Sequence, residues 1–254
     1  MGKKKCIWCL SLEQEESFKT KAHTIPKSLG GQSYNKNVCD KCNSYFGSRV
    51  EYKYSIEEAL KEGFNISRRM MLLSGNPKKK VGGFKSRYFD IRERNGNMTL
   101  KVLPSFRFNE PFQKELCHAF KRGLYKLFLE ELNRQKGLGF DEKFNIIREF
   151  SRYNKGDLPV IYFDRSVGIF MSIKREAETP ILLFDRMKYL YSNEKFVEIE
   201  FLGHVFGFPI TDVTEEDFKN YITNSKELKL GHFNGWKKIE KLIDIDIALS
   251  IMKG

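Results

Sequence analysis

The chain has 254 residues and a formal net charge of +12, enough length for one or two domains with a real core. Hydrophobic residues make up 41% of it and 22 residues are Phe, which excludes an intrinsically disordered chain. No apolar run approaches the ~18 residues of a membrane-spanning helix, and no secretory signal is readable. These features predict a cytoplasmic protein without a membrane partner.

The positive charge is concentrated in the first part of the chain. Residues 1–110 contain 22 Lys/Arg and 11 Asp/Glu, a balance of +11, whereas residues 111–254 contain 23 and 22, a balance of +1. A basic surface attracts the phosphate backbone of nucleic acids. The distribution therefore favours a nucleic-acid partner, although lysines that only keep the protein soluble are an alternative.

Two cysteine pairs come first in chain order. Cys6 and Cys9 form one CxxC pair, and Cys39 and Cys42 form the other. The 29 residues between the pairs exceed the roughly 15–20 of a plain zinc ribbon and leave room for a hairpin. Four thiolates suit a tetrahedral Zn²⁺, which would be structural because all four coordination positions are filled. Without a secretory signal, such pairs indicate zinc rather than disulfides.

The segment between the pairs carries a histidine, and an asparagine follows the second pair. Residues 22–31 read AHTIPKSLGG, with His23 near the start, and Asn43 follows Cys42 directly. Over about residues 6–51 this arrangement resembles the HNH endonucleases of the ββα-metal (His-Me finger) superfamily. The resemblance implies a zinc-supported ββα nuclease unit over residues 1–55.

The resemblance also implies which residues carry the chemistry. His23 occupies the position of the general base, for which a pKa near neutrality is suited. Asn43 occupies the position that holds a catalytic Mg²⁺ or Mn²⁺, or the loop around it. If the segment from Asn43 is helical, then Asn43, Gly47 and Glu51 share a face, which makes Glu51 a candidate ligand. A surface salt bridge is the alternative role for Glu51.

The activity that the resemblance implies is hydrolysis of phosphodiester bonds, leaving a 5′-phosphate and a 3′-hydroxyl. DNA is preferred to RNA as the substrate because most of the family cuts DNA. Two alternatives stay open. One is a zinc-containing nucleic-acid-binding protein without catalysis. The other is the nuclease subunit of a defence or mobile-element assembly.

Ala22 departs from the family pattern, because many members carry a metal-binding Asp, Glu or His directly before the base. Three explanations compete. Asn43 and Glu51 hold the metal with water molecules, since Mg²⁺ keeps much of its hydration shell; the chain is an altered, inactive copy; or a carboxylate from elsewhere completes the site. The first is favoured because His23 and Asn43 are both present.

The remaining residues, 56–254, predict an α+β accessory domain that could bind a protein partner. Ser55 is placed as the N-cap of a helix that ends near Leu73, and a basic loop with Lys78, Lys79 and Lys80 follows. Asn95 and Gly96 predict a hairpin turn. The predicted strands of this hairpin are Tyr88–Arg94 and Met98–Leu103.

Further along the chain, apolar spacing predicts a long core helix from Pro111 to about Gln135. Its basic residues are placed away from the apolar face: Lys114, Lys121, Arg122 and Lys126. Another helix is predicted over 141–153, and apolar runs within 158–209 predict a sheet. Thr214 is placed as the cap of a helix, and the tail over 235–252 is predicted to be helical. His118, His204 and His232 are assigned to the helix, a strand and a turn.

Overall fold

The computed structural model describes residues 4–49, 55–72, 86–94, 97–166, 183–184, 194–228 and 233–247. Several positions that the sequence analysis singled out lie outside these residues: Glu51, Lys78, Lys79, Lys80, Asn95, Gly96 and His232.

The N-terminal elements follow the predicted order of strand, strand and helix. β1 (Ala22–His23) pairs antiparallel with β2 (Tyr34–Asn35), and α1 spans Asp40–Gly47. A 3₁₀ turn, Lys27–Leu29, lies between the strands. A Cβ atom at Gly31 would lie 1.8 Å from the carbonyl oxygen of Ile25, so the tight connection after the turn requires glycine at this position.

α2 (Ile56–Leu72) packs closely on the long helix α3 (Glu110–Lys136). The amide of Glu58 donates to the Ser55 hydroxyl at 3.1 Å, which confirms the predicted N-cap. At Gly63, an added Cβ would lie 2.3 Å from the ring of Phe120. The two helices therefore approach each other where α2 has no side chain.

The predicted hairpin is confirmed. β3 (Phe89–Arg94) pairs antiparallel with β4 (Asn97–Val102) in an unbroken register.

α3 differs from its prediction in how its basic residues are placed. Lys121, Arg122 and Lys126 are only 3%, 1% and 1% exposed, so placing them on a side of the helix away from the core was wrong. The residues after α3 cover part of that side, while β1 and α2 cover the part around Lys126. The residues after α3 form a 3₁₀ turn (Glu142–Phe144), α4 (Asn145–Ile147) and a π-helical turn (Arg148–Arg152). Arg122, for example, donates to the carbonyl of Ser151 at 3.0 Å.

The second half of the chain forms five strands: β5 (Ile161–Arg165), β6 (Leu183–Phe184), β7 (Phe196–Phe201), β8 (His204–Pro209) and β9 (Phe233–Lys238). They build an antiparallel sheet in the order β6-β7-β8-β5-β9. Every residue of β7 and β8 is buried. The predicted sheet is thus confirmed, and so is the α+β fold class.

In the chain, α5 (Glu215–Leu228) follows β8 and precedes β9. The Thr214 hydroxyl accepts from the amide of Asp217 at 3.1 Å, as expected of the predicted cap. The helical prediction for the tail was wrong up to residue 247, because β9 pairs with β5 and only a 3₁₀ turn, Leu242–Asp244, follows. The last residues of that prediction, 248–252, lie outside the described part.

One hydrophobic core runs from the N-terminal segment into the sheet, taking in Trp8, Phe46, Phe120 and Phe206. Hydrogen bonds also connect residues on the two sides of the predicted domain boundary at residue 55. The indole Nε1 of Trp8 donates to Glu130 at 2.9 Å, and Arg148 donates to the carbonyl of Ile7 at 2.7 Å. The division into 1–55 and 56–254 stays a prediction. Among the described helices, none is long and apolar enough to cross a membrane.

Candidate functional site

The four predicted zinc ligands come together. The Sγ atoms of Cys6, Cys9, Cys39 and Cys42 all lie within 4.8 Å of one another, and those of Cys9 and Cys39 are 3.7 Å apart. A tetrahedral Zn²⁺ with Zn–S bonds of about 2.3 Å places its sulfur ligands about 3.8 Å apart. The cluster could therefore hold a zinc ion.

Local backbone structure brings these thiols together. After the first pair, Leu10 adopts a left-handed conformation with φ of 61°, and its amide donates to the carbonyl of Cys6 at 3.0 Å. Cys39 is the N-cap residue of α1, and its amide donates to the sulfur of Cys6 at 3.4 Å. From the other half of the chain, Arg152 Nε donates to the sulfur of Cys42 at 3.3 Å.

The electrostatics of the cluster favour a bound cation. A hydrogen bond with Cys42 lowers the pKa of the Cys6 thiol to about 5, whereas burial raises the pKa of Cys39 to about 12. Four thiolates in this space repel one another unless a positive charge lies between them. A divalent metal supplies that charge and deprotonates the thiols that bind it.

His23 ends β1 and is half-buried. Its Nδ1 atom is buried and has no hydrogen-bond partner among the described residues. Burial, followed by the charge of Lys27, lowers the pKa of His23 below its usual 6.5, while the charge of Glu57 acts in the opposite direction. The imidazole is therefore neutral at pH 7 and able to accept a proton.

The sequence analysis did not identify the residue that contacts the backbone of His23, which is Lys126. The buried ammonium of Lys126, on α3, donates to the carbonyl oxygen of His23 at 3.2 Å. It also contacts Glu57 Oε1 at 3.2 Å and Glu130 Oε2 at 3.1 Å. The one signal in the sequence is that Lys126 and Glu130 are four residues apart, a spacing typical of ion pairs on helices.

Asn43 lies in the first half of α1, on the same helix as Cys42. Its Nδ2 donates to the hydroxyl of Thr20 at 3.1 Å, and that hydroxyl donates to Asp40 Oδ1 at 2.6 Å. Hydrogen bonds from Ser17 and then Thr20 hold the pKa of Asp40 well below its usual range. Because the amide nitrogen is engaged, the Asn43 side-chain oxygen is the atom suited to a hard cation.

The predicted helical face does not extend to Glu51. α1 ends at Gly47, and Ser48 is extended with φ of −99° and ψ of 152°. Helical spacing therefore does not relate Asn43 to Glu51, which lies outside the described residues. The role of Glu51 as a ligand stays a prediction.

Ala22 is 1% exposed and belongs to the hydrophobic core. A carboxylate at this position would have to be accommodated among apolar neighbours, which is costly. Ala22, which precedes His23, thus contributes to the packing of the hydrophobic core.

Two other histidines lie where the sequence placed them. His118, on α3, contacts Asn154 at 2.9 Å and Asp157 at 3.2 Å. His204 is fully buried at the start of β8, where burial lowers its pKa to about 3. Neither belongs to the thiol cluster.

Comparison with known families agrees with the resemblance. Residues 6–57 match a family model described as HNH endonuclease, a segment that contains both cysteine pairs, His23 and Asn43. No curated protein and no solved structure matches the chain significantly. The match supports a nuclease-type hydrolase and, with it, a nucleic-acid substrate.

Proposed function

We propose that this protein is a metal-dependent HNH-type endonuclease that cleaves DNA, with His23 as the general base. The observation that carries the proposal is the buried Nδ1 of His23, which lacks a hydrogen-bond partner among the described residues and lies inside the segment that matches the HNH endonuclease family. Zn²⁺ on the four thiols is proposed as the structural ion that supports this segment.

The reaction requires a proton acceptor for the attacking water. His23 takes the proton as the water oxygen forms a bond to phosphorus, and the bond from phosphorus to the 3′ oxygen breaks. The leaving oxygen takes a proton from solvent water and becomes a 3′-hydroxyl, while the phosphate stays on the 5′ side. Mg²⁺ or Mn²⁺ at the site would neutralise charge on the phosphate and stabilise the leaving oxygen. The Asn43 amide oxygen has the hard-donor chemistry that either ion prefers.

The nucleic-acid substrate is also supported by the excess positive charge of residues 1–110. Affinity that depends on phosphate contacts falls linearly in a log–log plot against salt concentration. The choice of DNA over RNA rests on the resemblance alone.

The alternative function is a zinc-containing nucleic-acid-binding protein without catalysis. The observation that favours it is Ala22, which is buried and offers no ligand atom. Cleavage assays separate the two functions.

The test is cleavage of plasmid, linear DNA and RNA in Mg²⁺ or Mn²⁺ by the wild type, His23→Ala and the control His118→Ala. Loss of a general base lowers the rate by about 10²- to 10⁴-fold, so only His23→Ala should lose activity, with zinc content and DNA affinity retained. Because the pKa of His23 lies below 6.5, activity should rise with pH and reach its plateau by neutrality. A wild type that cleaves nothing with any divalent metal would overturn the endonuclease.

A further inference from the structure

We propose that Glu57 supplies the carboxylate that Ala22 does not, and that it binds the divalent cation of the site together with Asn43. The inference rests on the proposed function above, because it names a further residue of the same site. It concerns a position outside the two cysteine pairs and the segment between them.

The first support is the distance between Glu57 and the strand that carries the base. Glu57 lies in the first turn of α2. Its Oε1 atom and the carbonyl oxygen of His23 are each 3.2 Å from the same atom, Lys126 Nζ. These two oxygens are therefore separated by at most about 6.4 Å, twice that distance. The carboxylate also acts electrostatically on the His23 imidazole.

The second support comes from the other oxygen of the same carboxylate. Glu57 Oε2 lies 3.9 Å from the place where a Cβ on Gly47 would be. Gly47 is four residues after Asn43 on α1, so the two lie on one face of that helix. The carboxylate of Glu57 thus lies near the strand of His23 through one oxygen and near the Asn43 face of α1 through the other.

The third support is the chemistry of the carboxylate. A carboxylate has two oxygens with several acceptor positions, and the ammonium of Lys126 contacts Oε1. Lys126 also faces Glu130 at 3.1 Å, so its ammonium is shared between two carboxylates and does not belong to Glu57 alone. The Glu57 side chain is 26% exposed, which lets a cation reach it from solvent. Mg²⁺ is usually held by one or two carboxylates with water molecules.

Lys126 is a positioning residue in this arrangement. It does not touch the substrate, because its side chain is 1% exposed. Its ammonium fixes the carboxylate of Glu57 relative to the backbone of His23.

The experiment measures Mn²⁺ binding to the full, zinc-loaded chain without DNA, by calorimetry or by the Mn²⁺ electron paramagnetic resonance signal. Glu57→Gln keeps the size of the side chain and an oxygen for Lys126 but loses the charge. Mn²⁺ affinity should fall by about tenfold or more, since even residues behind the ligands affect metal affinity by about that factor. Zinc content should not change.

The matched control is Glu58→Gln. Glu58 is the next residue in the same helical turn and pairs with Arg49 at 2.8 Å, so its loss should leave Mn²⁺ affinity unchanged. Asn43→Ala should weaken Mn²⁺ binding as Glu57→Gln does. If Glu57→Gln fails to fold, Glu57→Asp, which keeps the charge on a shorter side chain, takes its place and should bind Mn²⁺ more weakly than the wild type.

The outcomes distinguish this inference from the proposed function. Unchanged Mn²⁺ affinity in Glu57→Gln overturns the role of Glu57, even if cleavage is lost, because Glu57 would then act only through Lys126. A wild type that binds no Mn²⁺ overturns it as well. A wild type that binds Mn²⁺ in a Glu57-dependent way but cleaves no nucleic acid supports the cation site and overturns the endonuclease.

Discussion

The thiol site at the N-terminus and the five-stranded sheet are stabilised by different forces. β1 and β2 have two residues each, and their surroundings depend on four thiols and on buried polar side chains of α3. β7 and β8 have six residues each, all buried. Burial of apolar surface and a buried ion pair of Arg165 with Glu200 stabilise the sheet without a metal ion. The comparison teaches that the region proposed to react is the one whose stability depends on a metal.

Removing a zinc ligand should have the largest effect on stability. It should unfold the thiol site and leave the sheet folded. Cys42→Ser should abolish zinc binding and unfold residues 6–47, because structural zinc contributes its binding energy to folding, about 10–16 kcal/mol in isolated zinc-finger peptides. Hydrogen exchange should become fast there and stay slow in β7 and β8. The control is Cys117→Ser, because Cys117 is a buried thiol outside the cluster. This variant should bind zinc as the wild type does.

If protection were lost equally in both regions of Cys42→Ser, the thiol site and the sheet would form one cooperative unit. The contrast between them would then concern only the forces and not the order of unfolding.

Removing the buried ammonium should have the next largest effect. Lys126→Met leaves Glu130 fully buried without its cation, which costs about 3–5 kcal/mol of the free energy of unfolding. The double variant Lys126→Met/Glu130→Leu should recover part of that loss, because no fully buried charge is left unpaired; Glu57 is 26% exposed, but the Trp8 indole loses its acceptor. Lys114→Met is the control, since Lys114 and its partner Glu110 are both exposed and contribute little. Urea unfolding measures all three, and equal midpoints for Lys126→Met and the wild type would contradict the prediction.

The smallest effect concerns the sheet and its dependence on pH. Burial lowers the pKa of His204 to about 3, below the usual 6.5, so the unfolded chain binds a proton that the folded chain does not. Stability from this group is complete above pH 6.5 and falls with decreasing pH, by about 1 kcal/mol per unit. His204→Phe should flatten this fall between pH 6.5 and 5. Thermal unfolding at several pH values measures the slopes.

The sequence predicted the thiol site because its signals are local. The first cysteine pair lies on a short turn and the second at the start of α1, and Ser55 and Thr214 cap helices through residues three positions away. The long helix was also predicted, since its apolar spacing is visible within one segment.

Contacts between distant segments account for what was missed. The tail was predicted helical, but β9 exists because it pairs with β5, about 70 residues earlier. Lys126 was placed away from the core because its partners, the His23 carbonyl and Glu57, are far away in sequence. The end of α1 at Gly47 was missed because this glycine, a common helix stop signal, was placed inside the helix. The helical spacing that was to place Glu51 therefore does not hold.

The contact of Arg152 with Cys42 sets a time scale during protein synthesis. The two residues are 110 positions apart, and a ribosome adds about 5–20 residues per second. Roughly 5 to 20 s therefore pass between synthesis of the fourth thiol and synthesis of the guanidinium that contacts it. A ribosome that stalls in this interval leaves a nascent chain whose thiols lack this cover and are open to oxidation.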